Sequence, residues 1–186
     1  INWKSKFLTA KETKEMFEIL KKEIKLLSLL WFNYYLYNSI LKNPMQNTAL
    51  QFSEVISKCR DLFSKKLQDY GAAWRVLRPS SITDQIYIKV NRIRTLQMTD
   101  VKMVDEHEED EFIAIVNYSI IGLIQLEKGF SENLDEDKTE ILKLYDDYAQ
   151  KAKDLMLRKN HDYGEAWREM RISSITDLIY QKVLRT

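Results

Sequence analysis

A segment of 25 residues occurs twice in this chain, and the repeat limits the possible folds more than any other feature. Residues 69–93 and 162–186 align at an offset of 93 positions, with 17 identical residues. We call this segment the signature. In its first copy Gly71 can take a positive φ where a helix stops, and Ser81 followed by Asp84 resembles a capping box that starts another helix. The repeat therefore predicts two helix–loop–helix units.

The helix before each signature is also predicted to be duplicated. Thr48 and Gln51 form a capping-box pattern that predicts its start in the first copy. Four apolar positions at helical spacing predict a buried stripe there, and the offset of 93 gives a matching stripe in the second copy. The two stripes are Phe52, Val55, Cys59 and Leu62, and Tyr145, Tyr148, Ala152 and Leu155. A matching stripe indicates that a whole unit was duplicated.

The fold class predicted from these patterns is all-α. The chain holds only 4 Gly and 2 Pro, which favours long helices over a turn-rich β fold. An acidic run at 105–111 leads into residues 112–126, which are apolar almost all round and predict a central helix. We therefore expect a helical bundle built from two tandem copies of a roughly three-helix unit, with the second copy truncated.

Three segments are expected along the chain. Residues 1–44 form an N-terminal extension to which no function is assigned, 45–130 form the first repeat, and 131–186 form an incomplete second repeat. The chain begins at Ile1 and ends within the second signature, so we expect a fragment of a longer two-repeat protein. A second repeat without its acidic helix would expose an apolar face, which predicts self-association.

Charge and hydropathy exclude several classes of protein. The formal net charge of +1 provides no global attraction to nucleic acid or membrane, so any anion site has to be local. The uncharged run at 26–41 has 16 residues, fewer than the roughly 20 that a membrane span needs. It predicts a helix packed on the protein, an extension, or a helix on a membrane surface. The lone Cys59 suits a reducing cytosol, so we expect a cytoplasmic protein.

The signature combines aromatic rings with cations, which is typical of a nucleotide site. A base can stack on such rings, and arginine binds phosphate at two points. The candidate substrate-binding residues are Asp69, Tyr70, Trp74, Arg75, Arg78, Asp84, Lys89 and Arg92, with Asp162, Tyr163, Trp167, Arg168, Arg171, Asp177, Lys182 and Arg185 in the second copy. The alternative is structural: the rings belong to the core, and Arg75 or Arg78 pairs with Asp69 or Asp84. Retention of these charges in both copies favours a binding site.

The acidic run offers a candidate metal site. Glu106 and Asp110 lie one helical turn apart and could hold Mg²⁺, with waters completing its octahedron. Acidic residues also crowd the first turn of many helices because of the helix dipole. Asn117 is either a core amide with satisfied hydrogen bonds or a ligand. The sequence has no metal-binding Cys/His spacing, glycine-rich phosphate loop or triad motif, so covalent catalysis is not indicated.

These residues together resemble a family, the bacterial and phage domain of unknown function 1599, also called nucleotide modification associated domain type one. The resemblance covers about residues 48–128, its Lys-to-Arg part recurs at 159–185, and the tandem arrangement is similar to that of a Bacteroidetes-type member. The matching marks are Lys66-x-x-Asp69-Tyr70-Gly71, Lys89-x-x-Arg92, and Asp105-Glu106 through Asp110 to Asn117-Tyr118.

The resemblance implies an all-α domain linked to modified nucleotides and similar to MazG-like nucleoside triphosphate pyrophosphohydrolases. Those enzymes hold Mg²⁺ with acid pairs on two adjacent helices. This chain departs from that pattern with Ile88 and Asn91 around Lys89, and with Ala114 where related sequences often place Asp. Three functions stay open: a Mg²⁺-dependent pyrophosphohydrolase, which the resemblance favours, a non-catalytic module that binds a nucleotide or nucleic acid, and a purely structural helical repeat.

Overall fold

The computed structural model describes residues 47–99, 103 and 107–185, and these confirm the all-α prediction. Within these described ranges five α-helices follow one another: α1 (Thr48–Tyr70), α2 (Pro79–Thr99), α3 (Glu108–Lys128), α4 (Lys138–Tyr163) and α5 (Ile172–Val183). Short 3₁₀ turns at Ala73–Val76 and Ala166–Glu169 join α1 to α2 and α4 to α5. The extension expected at 1–44 and the candidate metal ligand Glu106 lie outside the described residues.

Two helices begin slightly earlier in the chain than their capping-box patterns predict. Asn47, not Thr48, caps α1, because the Asn47 side chain accepts a hydrogen bond from the Ala49 N–H at 2.7 Å. Helix α2 begins at Pro79 rather than at Ser81. The fixed φ of proline suits the first turn of a helix, where its missing N–H would have no helical partner. The capping-box predictions were therefore wrong in detail at both places.

The predicted buried stripe of α1 is correct for three of its four residues. Phe52, Val55 and Cys59 are buried, whereas Leu62 is 37% exposed. The core face continues instead through Phe63, while Leu62 borders a cavity described below.

Equivalent helices of the two copies pack against each other: α1 contacts α4, and α2 contacts α5. Tyr87 on α2 stacks on Tyr180 on α5, which is its own equivalent at the offset of 93, with ring centroids 5.9 Å apart. Contact between equivalent residues is what a two-fold interface between subunits produces. Equivalent elements of the two copies are therefore in contact, and the repeat boundaries at 45–130 and 131–186 stay a prediction.

Helix α3 lies at the centre and packs on α1, α2 and α4. Nearly every residue between Glu111 and Leu126 is buried, and the exceptions are Ala114 and Tyr118, which are half-buried. These two residues lie one turn apart on the same face, so α3 turns one side toward an opening. Among the described helices, none is both long enough and apolar enough to cross a membrane.

Candidate functional site

A cavity of about 410 Å³ opens where the first signature meets α3. We call it the signature pocket. Its wall combines apolar side chains, aromatic rings, one amide and two lysines, contributed by α1, the 3₁₀ turn, α2 and α3. The lining residues are Leu62, Phe63, Lys66, Leu67, Tyr70, Gly71, Ala73, Trp74, Leu77, Lys89, Ala114, Asn117, Tyr118 and Ile121. Ligand pockets commonly measure about 300–1,000 Å³ and are lined in this way.

The backbone at the end of α1 forms one rim of the signature pocket. Gly71 has φ 60° and ψ −156°, a conformation that side chains with a Cβ rarely adopt. This turn ends the helix at Tyr70, which is 70% exposed, and leads into the 3₁₀ turn that carries Trp74. A glycine at this position therefore places both aromatic rings on the same cavity.

Two lysines supply positive charge at the signature pocket. Lys66 is exposed on α1, and Lys89 on α2 lies with its ammonium 3.1 Å from the Glu111 carboxylate of α3. Arg92 donates a hydrogen bond to the same carboxylate, which is only 2% exposed. One buried negative charge therefore faces two cations, and Lys66 adds a third. The local charge is positive although the whole chain is nearly neutral.

The amide of Asn117 is a structural link. Its Nδ2 donates to the Cys59 carbonyl at 3.1 Å, and its Oδ1 accepts from the Tyr145 hydroxyl at 2.8 Å. Burial raises the pKa of Tyr145, so this hydroxyl stays protonated and remains a donor. Asn117 thus joins α1, α3 and α4 and also forms part of the pocket wall.

Arg75 takes a different role from the one predicted. It does not line the signature pocket, and its side chain is 3% exposed. Its Nε donates to the Glu136 carboxylate at 2.6 Å, and its Nη1 donates to the Gln125 side chain and to the Gly129 carbonyl. The structural alternative is also corrected, because the partner is Glu136 rather than Asp69 or Asp84. A guanidinium held on three sides inside the protein is not available to a phosphate.

Arg168, the equivalent of Arg75, forms a second internal contact. It donates to Glu165 in its own turn and to Thr48 and Gln51 at the start of α1. Its hydrogen bond holds the pKa of Glu165 below its ordinary value. Arg75 reaches the segment before α4, and Arg168 reaches the first turn of α1. Each signature arginine therefore ties its own copy to the entry of the first helix of the other copy.

Glu136 should make the stability of the protein depend on acid pH. Burial alone would raise its pKa, but hydrogen bonds and charges of Lys128 and Arg75 outweigh burial and hold the pKa below its ordinary value of 4.5. The stabilisation is then complete above that value and is lost as pH falls below it. We expect the difference in melting temperature between wild type and Glu136→Gln to narrow below pH 4.5. The exposed Glu132→Gln is the control, and parallel curves for wild type and Glu136→Gln would contradict the prediction.

The other predicted site residues are dispersed. Tyr70, Trp74 and Lys89 line the signature pocket, and Tyr163 and Trp167 line a second cavity. Asp177 pairs with Arg94 of the first copy at 3.0 Å, Asp162 lies 3.2 Å from His161, and Lys182 is half-buried. The remaining predicted residues outside both pockets are exposed, namely Asp69, Arg78, Asp84, Arg171 and Arg185.

The second cavity lies at the second signature and measures about 150 Å³. It is lined by Met156, Lys159, Asn160, Tyr163, Gly164, Ala166 and Trp167, and each is the equivalent of a residue that lines the signature pocket. The wall that α3 supplies in the first copy has no counterpart among the described residues of the second. The two cavities therefore have equivalent walls where the two signatures line them. The additional wall from α3 makes the first cavity the larger of the two.

The described acidic residues do not form a Mg²⁺ cage. Asp110 accepts a hydrogen bond from the His107 backbone N–H at 3.2 Å, as part of the cap of α3, and Glu111 is paired with Lys89 and Arg92. Within the ranges 47–99 and 107–185, no group of three or more His, Cys, Asp or Glu side chains could hold a metal ion. Glu106, the other predicted ligand, lies outside these ranges, so the Mg²⁺ site at Glu106 and Asp110 stays a prediction.

The fold and the pocket define a class: a helical domain with a duplicated Asp-Tyr-Gly…Trp-Arg signature and a lysine-bearing aromatic cavity at its first copy. The model of one protein family, domain of unknown function 1599 or nucleotide modification associated domain 1, matches residues 66–126 and 159–186. The chain belongs to this family. Comparison with curated proteins and with solved structures gave no match.

Proposed function

We propose that the signature pocket binds a nucleotide. Its base lies against the rings of Tyr70, Trp74 and Tyr118, and its phosphates lie at Lys66 and Lys89. One observation carries this proposal: the family match at 66–126 contains all of the residues that line the pocket except Leu62 and Phe63. A family associated with nucleotide modification supports a nucleotide-related role, and the cavity supports a place for it.

The chemistry of the wall suits a base with attached phosphates. Aromatic side chains stack on any base at roughly 1–3 kcal/mol each. The apolar residues around them exclude water and strengthen the few polar contacts. Lys66 and Lys89 lie at the same cavity, so a phosphate chain can reach both cations while the base stays among the rings. In this proposal the phosphate-binding cations are lysines, and Arg75 serves the fold.

The proposal is tested with a matched pair of lysine variants. Wild type is screened by thermal shift and calorimetry against deoxynucleoside and ribonucleoside triphosphates, with and without Mg²⁺. We expect Lys66→Gln to weaken binding about tenfold or more, because one charged contact is lost. Lys159→Gln removes the equivalent charge from the second cavity and should leave the affinity unchanged. Equal effects of both variants, or no binding by wild type, would contradict the proposal.

The same samples test the alternatives. Release of pyrophosphate in the presence of Mg²⁺ would identify an enzyme like the MazG-like pyrophosphohydrolases, whereas binding without turnover would identify a binding module. Tighter binding of a single-stranded oligonucleotide than of any free nucleotide would make nucleic acid the target. Self-association and a cytoplasmic location stay predictions.

A further inference from the structure

We infer that the indole N–H of Trp74 is a specificity-determining donor, which pairs with a hydrogen-bond acceptor on the edge of the bound base. This inference rests on the proposed function and deepens it. It comes from a difference between the two copies of the signature in the hydrogen bond of the equivalent indole N–H.

In the second copy the indole N–H is satisfied within the protein. Trp167 Nε1 donates to the Asn160 side-chain oxygen at 3.2 Å. In the first copy the position equivalent to Asn160 is Leu67, an apolar residue that is 3% exposed. Trp74 Nε1 is buried and finds no acceptor among the described residues. One substitution between the copies has therefore left the same donor without its partner.

An unpaired buried donor is unfavourable, and native proteins rarely retain one without a reason. Trp74, which carries the unpaired donor, lines the larger cavity, whereas Trp167, which carries the satisfied donor, lines the smaller one. A ligand that supplies an acceptor would regain the hydrogen bond that Asn160 provides in the second copy. The first copy is thus suited to a ligand that accepts this hydrogen bond, whereas in the second copy Asn160 already accepts it.

The class of ligand follows from the polarity of the donor. The base must present an unprotonated ring nitrogen or a carbonyl oxygen toward Trp74, and a ring edge that carries only donors is disfavoured. Trp74 Nε1 is almost fully inaccessible in this structure. Pairing with a ligand therefore requires the half-buried Trp74 ring to turn within the pocket.

Three variants separate this donor from the rest of the pocket. Trp74→Phe keeps an aromatic ring and removes the N–H. Leu67→Asn recreates the internal acceptor of the second copy, which competes with the ligand. Asn160→Leu makes the reverse change at the second cavity and serves as the control. Affinity is measured by calorimetry against dATP, dGTP, dCTP, dTTP and dUTP, and the indole ¹H–¹⁵N signal of Trp74 is assigned from its loss in Trp74→Phe.

We expect Trp74→Phe and Leu67→Asn to weaken the best-binding nucleotide by about two- to tenfold, and Asn160→Leu to leave it unchanged. The Trp74 indole signal should move downfield on binding while the Trp167 signal stays in place. Thermal melting checks that Leu67→Asn remains folded. Wild-type affinity in both variants, or an unmoved Trp74 signal with a bound nucleotide, overturns this inference and leaves the proposed function intact. Failure of wild type to bind any nucleotide overturns both.

Discussion

Replacing Arg75 with alanine should destabilise the protein by about 3 kcal/mol, because each buried acceptor left without a donor costs about 1–3 kcal/mol. The substitution removes the donor of the Gln125 amide oxygen and the Gly129 carbonyl, while the Glu136 carboxylate keeps its ion pair with Lys128. It also releases the segment before α4 from the first signature. Urea unfolding followed by circular dichroism measures the loss directly.

Arg78→Ala is the matched control for this experiment. Arg78 lies three residues further along the same signature and is exposed, so its removal should change the free energy of unfolding by no more than about 0.5 kcal/mol. Nucleotide affinity distinguishes the two roles that the sequence left open for Arg75. If Arg75→Ala kept the stability of wild type and lost nucleotide binding, the phosphate role predicted for Arg75 would return and the internal contact would be unimportant.

The helices could be predicted from the sequence because their signals are local. The spacing of apolar residues alone predicts the buried face of α1 and the almost entirely apolar helix α3. Gly71 marks the end of α1. The starts of α1 and α2 were misplaced because Asn47 and Pro79 compete with nearby capping patterns. The hydroxyl of Thr48, read as a cap, is used instead by Arg168 of the other copy.

The candidate site could be predicted only in part. Tyr70, Trp74 and Lys89 line one cavity, whereas Arg75 does not, and the substrate-binding role of the first three stays a prediction. Arg75 was grouped with them because it is identical in the two copies. A residue can be identical in both copies because it binds a ligand or because it makes an internal contact, and identity alone does not distinguish the two. The partners of Arg75, Gln125 and Glu136, lie 50 and 61 residues away in sequence, so no local pattern reveals them.

The α3 side of the cavity was missed because its residues look like core. Ala114, Tyr118 and Ile121 sit in a helix that is apolar almost all round, and such a pattern gives no sign of an opening. The identity of Lys66 with Lys159 between the copies was an available signal for the second lysine. That identity is informative because both lysines line equivalent cavities.

Filling the signature pocket from its α3 wall should abolish nucleotide binding without unfolding the protein. Ala114 is half-buried and its side chain borders the cavity, so a tryptophan there would occupy the space that the base requires. We expect Ala114→Trp to weaken nucleotide binding roughly 100-fold or more, since a ligand pocket must bury most of its ligand to hold it. Calorimetry measures the affinity, and circular dichroism checks the fold.

Ala166→Trp is the control of equal size, because Ala166 lines the second cavity and is exposed. It should leave the affinity unchanged if the first copy alone binds the nucleotide, since the second cavity is smaller and its indole donor is already paired. If Ala166→Trp abolished binding and Ala114→Trp did not, the binding site would belong to the second signature. A loss of binding in both variants would instead mean that the two equivalent sites act together, as the contact between Tyr87 and Tyr180 would allow.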